Sequence, residues 1–127
     1  MTVYLNGVDV STGALVYTPL IGTDNHPHPG GAGTWQDWDI SAIVPVGTRY
    51  VEVSIGSNNS ALTINAGVRA NGSGLARFNT IAITAVGATG NWSMSVTTDM
   101  DAARIIEIYA DTVNFGTVNF CVLGYWS

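Results

Sequence analysis

The sequence predicts an all-β antiparallel fold, a sandwich or a barrel, on three observations. Short runs alternate apolar and polar residues with a period of two. Gly/Asn-rich turn signals separate these runs at intervals of roughly 8 to 15 residues. No capped segment with helical periodicity is long enough to require a helix.

The first 34 residues read differently from the rest. Two short candidate strands, at 2–5 and 14–20, give way to "NHPHPGGAG". Each proline there holds the preceding residue extended, and the glycines add freedom. Residues 1–34 are therefore expected to form an N-terminal arm or outer hairpin with a Pro/Gly linker. A compact β body is expected over residues 35–127.

Within the body, "RYVEVSI" at 49–55 sends Val51, Val53 and Ile55 one way and Tyr50, Glu52 and Ser54 the other. "LTINAGVR" at 62–69 directs Leu62, Ile64, Ala66 and Val68 inward. "NTIAITAV" groups Ile81 with Ile83, and "NWSMSVT" groups Trp92, Met94 and Val96. "RIIEIYAD" places Ile106, Ile108 and Ala110 opposite Glu107 and Tyr109; its β-branched run favours strand over the helix that Thr98 could cap. "VNFCVLGYW" at 118–126 is apolar on both faces, as a central or interface strand would be.

Charge is the unusual feature of the composition. Only 10% of residues are charged, and the chain has four arginines and no lysine. A charged surface usually keeps a protein dispersed, so this one is expected to bury surface in an assembly. The net charge of −5 disfavours nucleic acid and anionic membrane, both of which need clustered cations. No apolar run approaches a membrane span, and no signal peptide is visible, so folding in a cytoplasm is expected. Cys121 is the only cysteine and reads as a small buried thiol.

Catalytic chemistry finds little to stand on. No G-x-S-x-G element or phosphate-binding loop is present. His26 and His28 are the only histidines, and with no third ligand nearby they read as an ordinary loop rather than a metal site. Asp37 with Asp39, and Asp99 with Asp101, read as turn and edge groups. No cofactor is expected, and the protein is expected not to be an enzyme.

The candidate binding residues are aromatic and cationic. Trp92 fits the core; Trp35, Trp38 and Trp126 lie near the two ends of the body, where closing strands could pair them in the core, and exposed rings there would instead mark a subunit interface or a sugar platform. Arg69 and Arg77, half of the chain's positive charge, flank the turn "ANGSG". Pairing with Glu52 or Glu107 on a neighbouring strand, or with carboxylates across a subunit interface, is their expected role. An anionic-glycan site is the competing one.

Three stretches carry a resemblance. "WDISAIVPVGTRYVEVSI", "GVRANGS" and "IEIYADTVNFGTVNFCVLGYW" together resemble a β-sandwich module of bacteriophage virion proteins, found in decoration proteins, head fibres and tail-associated proteins. The resemblance spans most of residues 35–126 and leaves out the first 34. It implies a jelly-roll-like antiparallel sandwich, non-enzymatic, often trimeric, and displayed on a virion. A capsid decoration (cement) protein bound to the assembled major capsid lattice is the first expectation. A tail or fibre module reading a host glycan through Trp-bearing loops is the alternative. A short chain starting at Met1 with no coiled-coil stalk fits the first better.

Overall fold

A computed structural model describes residues 4–5, 8–9, 14–20, 25–26, 33–57, 63–74, 79–82, 92–111 and 118–127. Side chains are described at 14–20, 33–57, 65–74, 93–111 and 118–127. The elements are β1 (Tyr4–Leu5), β2 (Val8–Asp9), β3 (Tyr17–Pro19), β4 (Asn25–His26), β5 (Gln36–Asp39) and β6 (Tyr50–Ser57). They continue with β7 (Thr63–Ala70), β8 (Asn79–Ala82), β9 (Trp92–Asp99), β10 (Ile105–Ala110) and β11 (Val118–Trp126). The fold is all-β, as the alternating runs predict, with no helix among the described residues.

Two antiparallel sheets form the body. One has the order β5-β10-β7-β8; the other has β3-β11-β6-β9, with β4 also on β11. The pairs nest. β7 joins β8, β6 joins β9, β5 joins β10, and β3 and β4 join β11. The chain from β3 onward is thus one long hairpin folded over itself, its successive pairs landing alternately in the two sheets.

Alternation makes the core. In β6, Val51, Val53 and Ile55 are fully buried while Tyr50, Glu52 and Ser54 face outward. Ala66 and Val68 of β7, and Ile106, Ile108 and Ala110 of β10, approach from the other sheet. Val118, Phe120 and Val122 of β11 complete the same cluster with Trp38, Ile40 and Val44. Each such large side chain contributes about 1.5–3 kcal/mol by leaving water.

The apolar character of β11 on both faces has two causes. It is central, lying between β6 and the β3/β4 strands. Its register on β6 also shifts between Val122 and Gly124. A bulge of this kind adds one residue and reverses which face later side chains take. Phe120 and Val122 point into the core before it; after it Tyr125 packs on the core and Trp126 turns outward beside Tyr17.

The N-terminal segment divides. β1 and β2 form a small hairpin of their own, Tyr4 opposite Asp9. β3 and β4 belong to the five-stranded sheet, with Tyr17 opposite Trp126 and His26 opposite Phe120. Backbone bonds extend the β3 ladder from Val16–Ser127 to Leu20–Leu123. Residues expected ahead of the body therefore form part of its sheet. The candidate strand at 14–20 contains β3, and its partner on β11 is far away in sequence.

Two turns follow their glycines. Thr48 N–H closes onto the Pro45 carbonyl at 3.3 Å, with Gly47 at φ +91°. Ser73 N–H closes onto Ala70 at 3.1 Å, with Gly72 at φ +71°. Positive φ at only the third residue is what a type II turn demands, and glycine adopts it without a Cβ clash.

Candidate functional site

The "ANGSG" turn is built around one carboxylate. Arg69 of β7 lies directly opposite Glu107 of β10. Its Nε and one terminal nitrogen donate to the two Glu107 oxygens at 3.2 and 3.0 Å. The Gly72 N–H donates to the same carboxylate at 2.8 Å. A two-pronged guanidinium–carboxylate pair is stronger and better oriented than a single contact. Glu107 is only 9% exposed, so the pair is largely withdrawn from water. Of the two acids the sequence offered, Glu107 is the partner; Glu52 instead accepts from the Tyr17 hydroxyl at 2.9 Å.

Aromatic rings frame this pair. The Arg69 guanidinium sits 4.2 Å from the Trp35 ring centre, within cation–π range. The Trp35 and Tyr109 rings are 5.4 Å apart and tilted by 41°. A second carboxylate holds the turn from its other side. Asp101 accepts from the Asn71 amide at 2.8 Å and from the Ile105 N–H at 3.1 Å. The Asn71 bond, then the backbone bonds, hold the Asp101 carboxyl below its usual range.

The strand that carries Glu107 begins at a strained residue. Arg104 has φ +60°, in the left-handed region that side chains avoid. Its guanidinium donates to the Ser41 and Val44 carbonyls at 2.8 and 3.0 Å, which ties the 41–44 loop to the start of β10. Asp39 lies at the edge of the same loop. Bonds from Ser41, with the nearby Arg104 charge as a lesser cause, hold its carboxyl below the usual range.

Of the residues the sequence singled out, the structure brings Trp35 and Arg69 together and separates the rest. Trp38, read from sequence as a core, interface or sugar-platform residue, is 8% exposed and belongs to the core. Trp35 and Trp38 are three positions apart, so a strand turns them to opposite faces. Trp126 does not pair with either of them, because β5 and β11 lie in different sheets. It packs against Tyr17 instead, with ring centres 4.6 Å apart and planes tilted by 51°. Tyr17 also lies across Gly124, where any Cβ would collide with its ring. Arg77 and His28 lie outside the described residues, as do the side chains of His26 and Trp92. Cys121 is half-buried, with its thiol 3.7 Å from the Val122 carbonyl.

Tyr17, Tyr109, Arg104 and Gly124 were not singled out from sequence. Only the parity of Tyr109, opposite the inward isoleucines, announced an outward ring.

A cleft of about 110 Å³ opens beside this face, lined by Val68, Arg69, Ala70, Ser73 and Val96–Asp99. Its two walls are the second half of β7 and the end of β9, which belong to different sheets. Among the described residues no group of three or more His, Cys, Asp or Glu could hold a metal ion. No helix among them is long and apolar enough to cross a membrane. No protein-family model matches this sequence, and no curated protein sequence matches it.

Proposed function

We propose that this chain is a non-enzymatic structural protein of a phage virion, a decoration protein that binds the assembled major capsid lattice and stabilises the head. The nested winding of strand pairs between two sheets carries the reading. It supports a jelly-roll reading of the two sheets, and jelly rolls are an architecture used by viral capsid and lectin domains. The sparse charge points the same way, because surface without charge favours association.

The segment ahead of β5 supplies the arm of this proposal. Leu15 is 43% exposed and Val16 62% exposed, and Tyr17 is exposed beside them. They form an apolar edge next to the C-terminal Ser127, available for burial against a capsid subunit. The aromatic residues fit the glycan alternative less well. Trp35 has a guanidinium over its ring and Trp126 is packed against Tyr17, so neither ring is an open sugar platform.

Head stability tests the proposal. A ligand that binds only the assembled shell stabilises it by mass action, by about 2.7 kcal/mol at a hundred times its dissociation constant. Heads of the encoding phage, stripped of accessory proteins, are expected to melt at higher temperature when saturated with this protein. Leu15→Asp with Val16→Asp is expected to remove that gain. An unchanged melting temperature at saturating protein contradicts the reading.

A further inference from the structure

The five-stranded sheet has two edges, and they are finished differently. At β3, the paired bonds between Val16 and Ser127, and the Leu20–Leu123 bond, turn the even-numbered N–H groups toward β11. The outward positions are odd-numbered, and one of them is Pro19, which has no N–H. Proline at an outward edge position is a known guard against strand addition.

The β9 edge has no such guard. β6 and β9 pair without a break from Tyr50–Asp99 to Ser57–Trp92. The Met100 N–H to Arg49 carbonyl bond of 2.9 Å continues the ladder. This register turns the even-numbered β9 residues toward β6. The N–H and C=O groups of Ser93, Ser95, Thr97 and Asp99 therefore face the open side, and no described strand pairs there. β9 contains no proline, no cation and no bulge. Its inward side chains are unfinished too. Met94 and Val96 pack on the core but remain partly exposed, whereas their β6 partners Ile55 and Val53 are fully buried.

We infer that the β9 edge is a self-association surface, where a second copy of this chain adds its own β9 antiparallel across a two-fold axis. The strand's chemistry is self-complementary in that arrangement. Its one charge, Asp99, lies at one end. Antiparallel pairing centred on Val96 uses all four outward positions: Ser95 meets Thr97 of the second copy, and Ser93 meets Asp99. The two carboxylates are thereby set at opposite ends, each beside a serine hydroxyl that can donate to it. Val96 meets its own copy on the axis, and the half-buried Met94 side chains extend both cores. A parallel arrangement would set the two Asp99 side by side, which costs energy. The contact is isologous, so it yields pairs, unlike the three-fold symmetry that the resemblance implies. It stands apart from the capsid reading and survives that reading's failure.

Sedimentation velocity on the full chain, over a concentration series reaching hundreds of micromolar, tests it. A single strand pair is a small interface, so a concentration-dependent monomer–dimer equilibrium is expected. Ser95→Lys with Thr97→Lys sets like charges opposite one another, and so does Ser95→Glu with Thr97→Glu. Both positions are exposed, so each double variant should keep the wild-type circular dichroism spectrum. Each alone is expected to be monomeric, and an equimolar mixture of the two to recover the dimer. A wild type that stays monomeric, a trimer, or charged variants that associate as wild type does would overturn the inference. So would a mixture that stays monomeric.

Discussion

Arg69 and Glu107 face each other on adjacent strands and are joined by two charge-assisted bonds of 3.2 and 3.0 Å, with the Gly72 N–H completing the carboxylate. The pair is cross-strand chemistry drawn inward. Its side chains are 17% and 12% exposed, so water screens it little. Removing one partner strands the other. Glu107→Ala is expected to destabilise the fold by about 2–4 kcal/mol, since a largely buried cation loses its counter-charge and a turn its anchor. Replacing both residues with methionine is expected to recover much of that loss, because two apolar side chains leave no charge behind. Urea unfolding of the single and double variants measures both effects.

Gly124 is required by a ring rather than by its backbone. Tyr17 lies over it, and a Cβ there would meet the phenol. Gly124→Ala is expected to lift Tyr17 from Trp126 and break its bond to Glu52, costing about 1–3 kcal/mol. In a Tyr17→Ala background the same substitution is expected to add little further cost. Thermal melts of the two backgrounds compare them.

Arg104 combines strain with anchorage. A left-handed backbone costs a side-chain-bearing residue about 1–2 kcal/mol, and two carbonyl bonds hold it there. Arg104→Ala loses the bonds and keeps the strain; Arg104→Gly loses the bonds and relieves it. The glycine variant is expected to be the more stable of the two by about 1 kcal/mol. Denaturant midpoints at equal slope decide the order.

Acid is expected to weaken the turn and loop that present β10. Asp39 is held below its ordinary value of 3.8 by Ser41, and Asp101 by Asn71 and nearby N–H groups. A folded-state value below the unfolded one adds stability that is complete above the unfolded value. That stability is lost as pH falls through the folded value. These groups should leave stability level from neutrality to about pH 5 and lower it below about pH 4. Asp101→Asn is expected to flatten part of that acid limb in urea titrations repeated across the range.

The sequence carried the fold where alternation was strong. β6 and β10 follow their patterns residue by residue, because each has one face on the core and one turned away from it. Cross-strand partners are not written locally. Glu52 and Glu107 were equal candidates for Arg69 until the nesting of strands placed β10, not β6, beside β7. Trp126 escaped prediction because a bulge inside an apolar run leaves no trace in the pattern while reversing the faces. Trp35 and Trp38 could have been separated by parity alone. The candidate strand at 14–20 contains β3, but its place in the body's sheet was not legible, because its neighbours on β11 lie more than a hundred residues away. Nothing local marks Arg104, because its carbonyl partners lie 60 and 63 residues upstream.

The measurement that bears most directly on the proposed role is co-sedimentation of the purified protein with two targets. One is heads of the encoding phage stripped of accessory proteins; the other is intact host cells. Saturable binding to heads, weakened by Leu15→Asp with Val16→Asp and absent on cells, is the predicted result. Binding to cells that a soluble sugar competes away, with none to heads, would contradict it.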